Sequence, residues 1–176
     1  MQKEFIQAND LVRDSFRLAR QIYDTGYRPD VLLVLWRGGT PVGIVIHEFF
    51  LHSGVQTYHT AIKAESYTGI GKRIEPRIEK LDSVFDALTP DSRVLVVDDI
   101  FDSGCTVSRV CELLRQKTCH IKVATLFFKD GASRVAMKPD FYLRKTDRWI
   151  VFPHELMDLT FDEIRRKDPV VAEIVG

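Results

Sequence analysis

Between Val94 and Val107 the chain reads VLVVDDIFDSGCTV: an apolar run, two adjacent acids, a short Asp-Ser-Gly-Cys-Thr turn, then a helical stretch. Residues of these types at this spacing can bind an anion beside a grip for a diol. Backbone N–H groups at a helix start lack partners, and the helix dipole favours negative charge there. Gly104 lets the backbone approach a phosphate closely, while Ser103 and Thr106 add hydroxyl donors. Asp98 and Asp99 offer acceptors for sugar hydroxyls, or for a Mg²⁺ that links them to a polyphosphate. Read alone, Asp102-Ser103 is no more than a helix cap. A calcium loop needs alternating ligands, a glycine and a terminal glutamate at fixed offsets, which are missing. GxxxxGK[ST] and GxGxxG, the common ATP and NAD cradles, are absent too.

Other reactive types follow other apolar runs. Leu35-Trp36-Arg37-Gly38-Gly39 closes the run that starts at Val31. Its glycines permit backbone N–H groups to face an anion and Arg37 adds a forked cation; the competing reading is a plain tight turn. Lys129 ends a further apolar run, which presents its ammonium at the strand end. His47 and His52 lie five apart, about 140° around a helix, so they do not share one metal. Cys105, Cys111 and Cys119 form an odd set without CxxC spacing. Cys111 and Cys119 read as small hydrophobes, and Cys105, at a helix start, as a candidate oxidisable thiol.

The elements that must position these groups show in the periodicity. Asp10 to Asp24 has helical spacing, with Gly26 just beyond it. Val31 to Leu35 and Lys122 to Phe128 read as strands buried on both faces, as does Val94 to Val97, ended by Asp98-Asp99. Thr40-Pro41 suggests a cap and first helical residue for a helix to about Phe50. Val55 to Ile62 is strand-like, and residues 63–80 lose periodicity, as a mobile functional loop or a disordered insert does. Thr106 to Arg115 is helical, and Pro139 to Leu143 and Trp149 to Phe152 are short strands. Phe161 to Val175 is helical on either side of Asp168-Pro169. Strand–helix alternation predicts an α/β fold with a mainly parallel twisted sheet, whose ligands gather at the strands' carboxyl ends.

Bulk numbers set the remaining bounds. The 176 residues suggest one domain. With 25 Lys+Arg against 25 Asp+Glu, the charge gives no support to a dedicated nucleic-acid binder. No apolar run is long enough to span a bilayer, and the N-terminus lacks a signal-peptide core. The expected setting is cytoplasmic and reducing, with no membrane partner.

DDIFDSGCT resembles the phosphoribosyl-pyrophosphate (PRPP) motif of type I phosphoribosyltransferases. LWRGG is similar to that family's pyrophosphate loop, and Ser66-Tyr67 to the dipeptide of its flexible catalytic loop, here about residues 63–80. FFKDGASRVAMKPDFYLRKTDRWIVFPHE is similar to the purine-recognising hood of the 6-oxopurine members, about residues 129–160. The resemblance implies the type I fold with a small C-terminal hood, and transfer of the phosphoribosyl group to hypoxanthine, guanine or xanthine. By that likeness Asp98 and Asp99 hold the ribose hydroxyls, directly or through Mg²⁺, and Asp102, Ser103, Gly104, Cys105 and Thr106 hold the 5′-phosphate. Asp102 also stands where the family places a proton-transfer carboxylate near purine N7. Arg37, Gly38 and Gly39 take the pyrophosphate, with a non-proline cis peptide at Trp36–Arg37.

For the base, Lys129 donates to O6, Trp149 stacks, Ile150 offers backbone groups and Glu155 approaches a 2-amino group. His154 departs from an aromatic position of xanthine–guanine-like members. The family's habit also implies a homodimer or homotetramer. An alternative on the same fold is a PRPP- or nucleotide-sensing regulator that binds RNA or DNA, which would want a basic face. A pyrimidine enzyme fits the hood poorly.

Overall fold

A computed structural model describes residues 2–65, 77–79 and 81–176. Its elements run β1 (Lys3–Phe5), α1 (Ala8–Asp24), β2 (Val31–Trp36), α2 (Gly39–His52), β3 (Tyr58–Glu65) and β4 (Arg77–Glu79). There follow α3 (Asp82–Ala87), β5 (Val94–Phe101), α4 (Cys105–Leu114), β6 (Ile121–Phe128), β7 (Phe141–Lys145), β8 (Trp149–Val151), α5 (Phe161–Lys167) and α6 (Pro169–Val175). They fall into two compact units, residues 14–147 and residues 1–13 with 148–176.

In the larger unit, Val- and Leu-rich runs decide the sheet. Val31 to Leu35 and Val94 to Val97 are buried throughout, as strands covered on both faces must be. Among the described residues the order is β4-β3-β2-β5-β6-β7, all neighbours parallel except β3 and β4. One face buries Leu33, Leu35, Ile62 and Val96 with Val107, Val110 and Leu114 of α4. On β2, Val34 presses against α2 at Gly43, where a Cβ would stand 2.8 Å from Val34 Cγ1.

Several boundaries differ from the sequence reading: β3 starts at Tyr58 rather than Val55, and β7 runs Phe141–Lys145 rather than Pro139 to Leu143. β5 does not stop at Asp98: it pairs with β6 through Asp98↔Thr125 and Phe101↔Phe128, so both acids lie within the strand. The aperiodic stretch is shorter than residues 63–80, because Lys63 to Glu65 extend β3 and pair with β4. α2 begins at Gly39, so Thr40 lies inside it rather than capping it. Cys111 is buried as expected, and burial pushes its thiol up to about 11. Cys119 is exposed instead.

In the smaller unit, β1 and β8 pair in parallel from Lys3↔Trp149 to Phe5↔Val151. Thr160 and Glu163 form a capping box on α5, and the Asp168 carboxylate accepts from Val170 and Val171 N–H to start α6. The helix break at Asp168-Pro169 thus falls where the sequence placed it. Lys129 to Asp147, grouped with the hood from sequence, belong to the sheet unit.

Candidate active site

The site is assembled where β2 and β5 end. Their register, Val31↔Val94 to Val34↔Val97, brings the Arg37–Gly39 turn beside the Asp98-Asp99 pair. Both glycines are needed there for room. A Cβ on Gly39 would lie 2.6 Å from Val97 O and 3.0 Å from Asp98 Cα. One on Gly38 would lie 2.5 Å from Asp99 Cγ. Gly38 has an ordinary φ of −63°, so close approach and not torsion requires it. The Trp36–Arg37 peptide is cis, as the family likeness implied, and Arg37 is exposed.

Asp98 and Asp99 crowd one another. Asp98 Oδ1 accepts from Asp99 N–H at 3.0 Å. Withdrawal from water, and then the Asp99 charge, hold the Asp98 carboxyl well above the usual carboxylate range. Two hard oxygen donors under mutual repulsion suit a divalent cation. Among the described residues no third His, Cys, Asp or Glu completes a cage. Mg²⁺ is commonly held by one or two carboxylates together with substrate oxygens, and Asp98 and Asp99 could supply those carboxylates.

Beyond β5, Asp98, Phe101, Asp102, Ser103, Gly104 and Thr106 line a cavity of about 90 Å³. Gly104 caps α4 with φ +74°, a left-handed conformation that side chains resist. A Cβ there would also stand 2.5 Å from the Phe101 ring and 2.6 Å from Val135. Packing beneath the turn therefore demands this glycine as much as any approaching ligand does. Ser103 is tied down on both sides: its hydroxyl accepts from Cys105 N–H at 3.4 Å, and its carbonyl from Arg134 N–H at 2.9 Å.

Sequence reasoning gave Asp102 and Lys129 separate tasks, and the fold joins them. Lys129 Nζ donates to Asp102 Oδ2 at 2.9 Å, with the lysine side chain 9% exposed and the aspartate 51%. Phe101↔Phe128 pairing is the cause, since it sets the next residue of each strand side by side. Lys129 N–H also donates to Phe101 O at 2.9 Å. Only the strand register, which a sequence without known pairing does not show, would have found this pair.

The remaining sequence candidates are in the smaller unit. Trp149 is 47% exposed, its N–H donating to Gln2 O at 3.1 Å. Ile150 is buried opposite Glu4 in the β1–β8 pair. The Glu155 carboxylate accepts from Phe152 N–H at 3.0 Å, closing a turn, and its carbonyl accepts from Lys167 Nζ. His154 stacks on Phe152, with ring centroids 5.8 Å apart. Ser66 and Tyr67 lie outside the described residues. No helix among the described residues is long and apolar enough to cross a membrane.

Two glycine-bearing turns thus flank an acid pair at the carboxyl edge of a parallel sheet, the edge where such α/β sheets gather their ligands. Residues 1–158 match the phosphoribosyl transferase domain family, and the chain belongs to it. It is 29% identical over 116 residues to a hypoxanthine-guanine phosphoribosyltransferase of Lactococcus lactis. That match covers 66% of this chain and 60% of the relative's length. A purine phosphoribosyltransferase from Pyrococcus horikoshii superimposes with TM-score 0.71 at 27% identity, covering 91% of this chain and 98% of that one. The Helicobacter pylori xanthine-guanine-hypoxanthine phosphoribosyltransferase gives 0.68 at 25%, covering 96% and 99%.

Proposed function

We propose that this chain transfers the phosphoribosyl group of PRPP to N9 of a 6-oxopurine, yielding the nucleoside monophosphate and pyrophosphate. The observation that carries the reading is the Lys129–Asp102 pair, which borders the phosphate turn at the strand ends. A buried ammonium there supplies a donor for a 6-oxo group, and a 6-amino group in that place would face it with donors of its own. The named activities of the Lactococcus, Pyrococcus and Helicobacter proteins support the same substrate class.

The chain's own contribution is positioning and charge. Backbone N–H groups at the start of α4, with Ser103 and Thr106, take the 5′-phosphate. Arg37 and the Gly38-Gly39 turn receive the departing pyrophosphate, whose charge grows as the C1′–O bond breaks. Asp98 and Asp99 hold the ribose hydroxyls and the site of Mg²⁺, which when bound neutralises pyrophosphate charge. Asp102, released from Lys129 as the base engages that lysine, accepts a proton at purine N7. Trp149 offers a stacking face, Ile150 backbone groups and Glu155 an acceptor for a 2-amino group, the roles the family likeness gives them.

The test supplies PRPP and Mg²⁺ with hypoxanthine, guanine, xanthine, adenine or uracil in parallel. The first three are converted; conversion of adenine or uracil alone rejects the assignment. Asp102→Ala lowers kcat by about 10²–10⁴-fold, with a smaller change in KM for PRPP. Equal losses in both remove its proton role. Lys129→Ala relaxes the 6-oxo preference, and an unchanged preference refutes the donor role.

A further inference from the structure

The connection from β6 to β7 reaches back to the phosphate turn. It opens with Lys129 and a single 3₁₀ turn, Asp130–Ala132, and enters β7 at Phe141. Arg134 N–H, in its middle, donates to Ser103 O at 2.9 Å. Val135 and the Phe101 ring fill the space that a side chain at Gly104 would need. Ser133 Oγ donates to Val135 O at 3.0 Å, which holds this part of the connection in its bend. The segment that begins at Lys129 therefore also props the turn after β5.

Asp130 fastens that segment at both ends. Its Oδ1 lies 3.0 Å from Nζ of Lys138, at the far side of the connection. Its Oδ2 accepts from Lys145 Nζ at 2.8 Å, and the register Phe128↔Lys145 sets that lysine beside the end of β6. Both ammonium groups also stand over the Phe128 ring, Lys145 at 5.6 Å and Lys138 at 6.0 Å from its centroid. Two like charges gathered at one ring repel, and the shared carboxylate offsets that repulsion. Hydrogen bonds from Lys145 and then Lys138 hold the Asp130 carboxyl below its usual range. Phe128 meets Phe101 edge-on, with centroids 5.6 Å apart. A packed line thus runs from Asp130 through two aromatic rings to Gly104.

We propose that Asp130 is a positioning residue, whose clasp on Lys138 and Lys145 fixes the connection that carries Lys129 and props the Ser103-Gly104 turn. It acts through these neighbours and not on substrate. All three side chains are partly exposed, where ion pairs add little to overall stability. Their effect is on geometry, which a binding site must hold closely. What the turn and the lysine bind rests on the phosphoribosyl-transfer reading; the clasp itself does not.

The experiment compares the full wild-type chain with Asp130→Asn, Asp130→Glu and Lys145→Gln. Amide hydrogen exchange, followed without substrate, should quicken about tenfold at Arg134 in Asp130→Asn, while amides of β5 and the urea midpoint stay close to wild type. Calorimetry should then show PRPP with Mg²⁺ bound about fivefold more weakly, and turnover should show a smaller preference for hypoxanthine over adenine. Asp130→Glu, which keeps the charge, should recover most of each loss. Adding Lys145→Gln to Asp130→Asn should cost less than the two single changes summed, because they break one clasp. Unchanged exchange at Arg134, or faster exchange with PRPP affinity intact, overturns the proposal. So does faster exchange throughout β5 with a lowered urea midpoint, since Asp130 then serves stability at large. A wild-type chain that binds no PRPP rejects the transfer reading, and exchange at Arg134 alone then decides the clasp.

Discussion

β2 and β5 lie side by side, and their two ends are built to opposite designs. At the starting end Arg93 clamps Asp30: Nε and Nη2 donate to its carboxylate at 3.0 and 2.8 Å, and Arg93 N–H donates at 2.8 Å. At the finishing end two carboxylates sit side by side in one strand, and the facing turn has shed its side chains to make room. An arginine closes over the acid at one end, and at the other two acids crowd together in one strand. A single pair of strands thus carries both arrangements along its own length. Parallel sheets allow it, because every carboxyl end emerges at the same edge.

The sharpest way to break the contrast is to put a methyl group at the finishing end. Gly39→Ala meets backbone atoms of Val97 and Asp98, which cannot swing aside. A stability loss of about 1–3 kcal/mol is expected in urea denaturation, together with lost PRPP binding. Retention of both would show that the turn has slack. Gly38→Ala meets only the Asp99 side chain, which can rotate at some cost. Its stability should fall less than that of Gly39→Ala, while PRPP affinity drops about tenfold because Asp99 is displaced. If calorimetry finds affinity intact with Asp99 pushed aside, that carboxylate does not grip the ribose.

The same contrast explains what was legible in the sequence. Asp98, Asp99 and the Asp102–Thr106 turn were visible because the chemistry requires contiguous residue types next to an apolar run. The β2 and β6 runs were legible because strands buried on both faces are rich in Val, Leu and Phe. Hidden was everything that depends on register. Asp98-Asp99 read as a strand stop because acids seldom sit inside a strand, yet pairing with β6 carries the strand three residues past Asp98. Lys129 and Asp102 are 27 positions apart and become partners only through that pairing. β1 stayed obscure for the same reason, being three residues long and dependent on its pairing with β8. Gly104 was visible, but half its cause was not: Phe101 and Val135 beneath it are tertiary neighbours.

The smallest expected effect lies at the starting end, and it sharpens the contrast because it should leave function alone. Hydrogen bonds from Arg93, against a smaller opposing effect of burial, hold the Asp30 carboxyl below its usual range. A carboxyl lowered in the folded state contributes stability above its unfolded pKa, and loses it as pH falls through the folded value. Both side chains are 45% exposed, so solvent screening keeps the pair's worth below about 1 kcal/mol. Asp30→Asn should therefore lower the urea midpoint slightly at pH 7, and the two proteins should converge as pH falls below the ordinary carboxylate range. PRPP affinity and turnover should match wild type at neutral pH. A loss of affinity in Asp30→Asn would mean that strain at the start of β2 reaches the Arg37–Gly39 turn, and the two ends would then be one device.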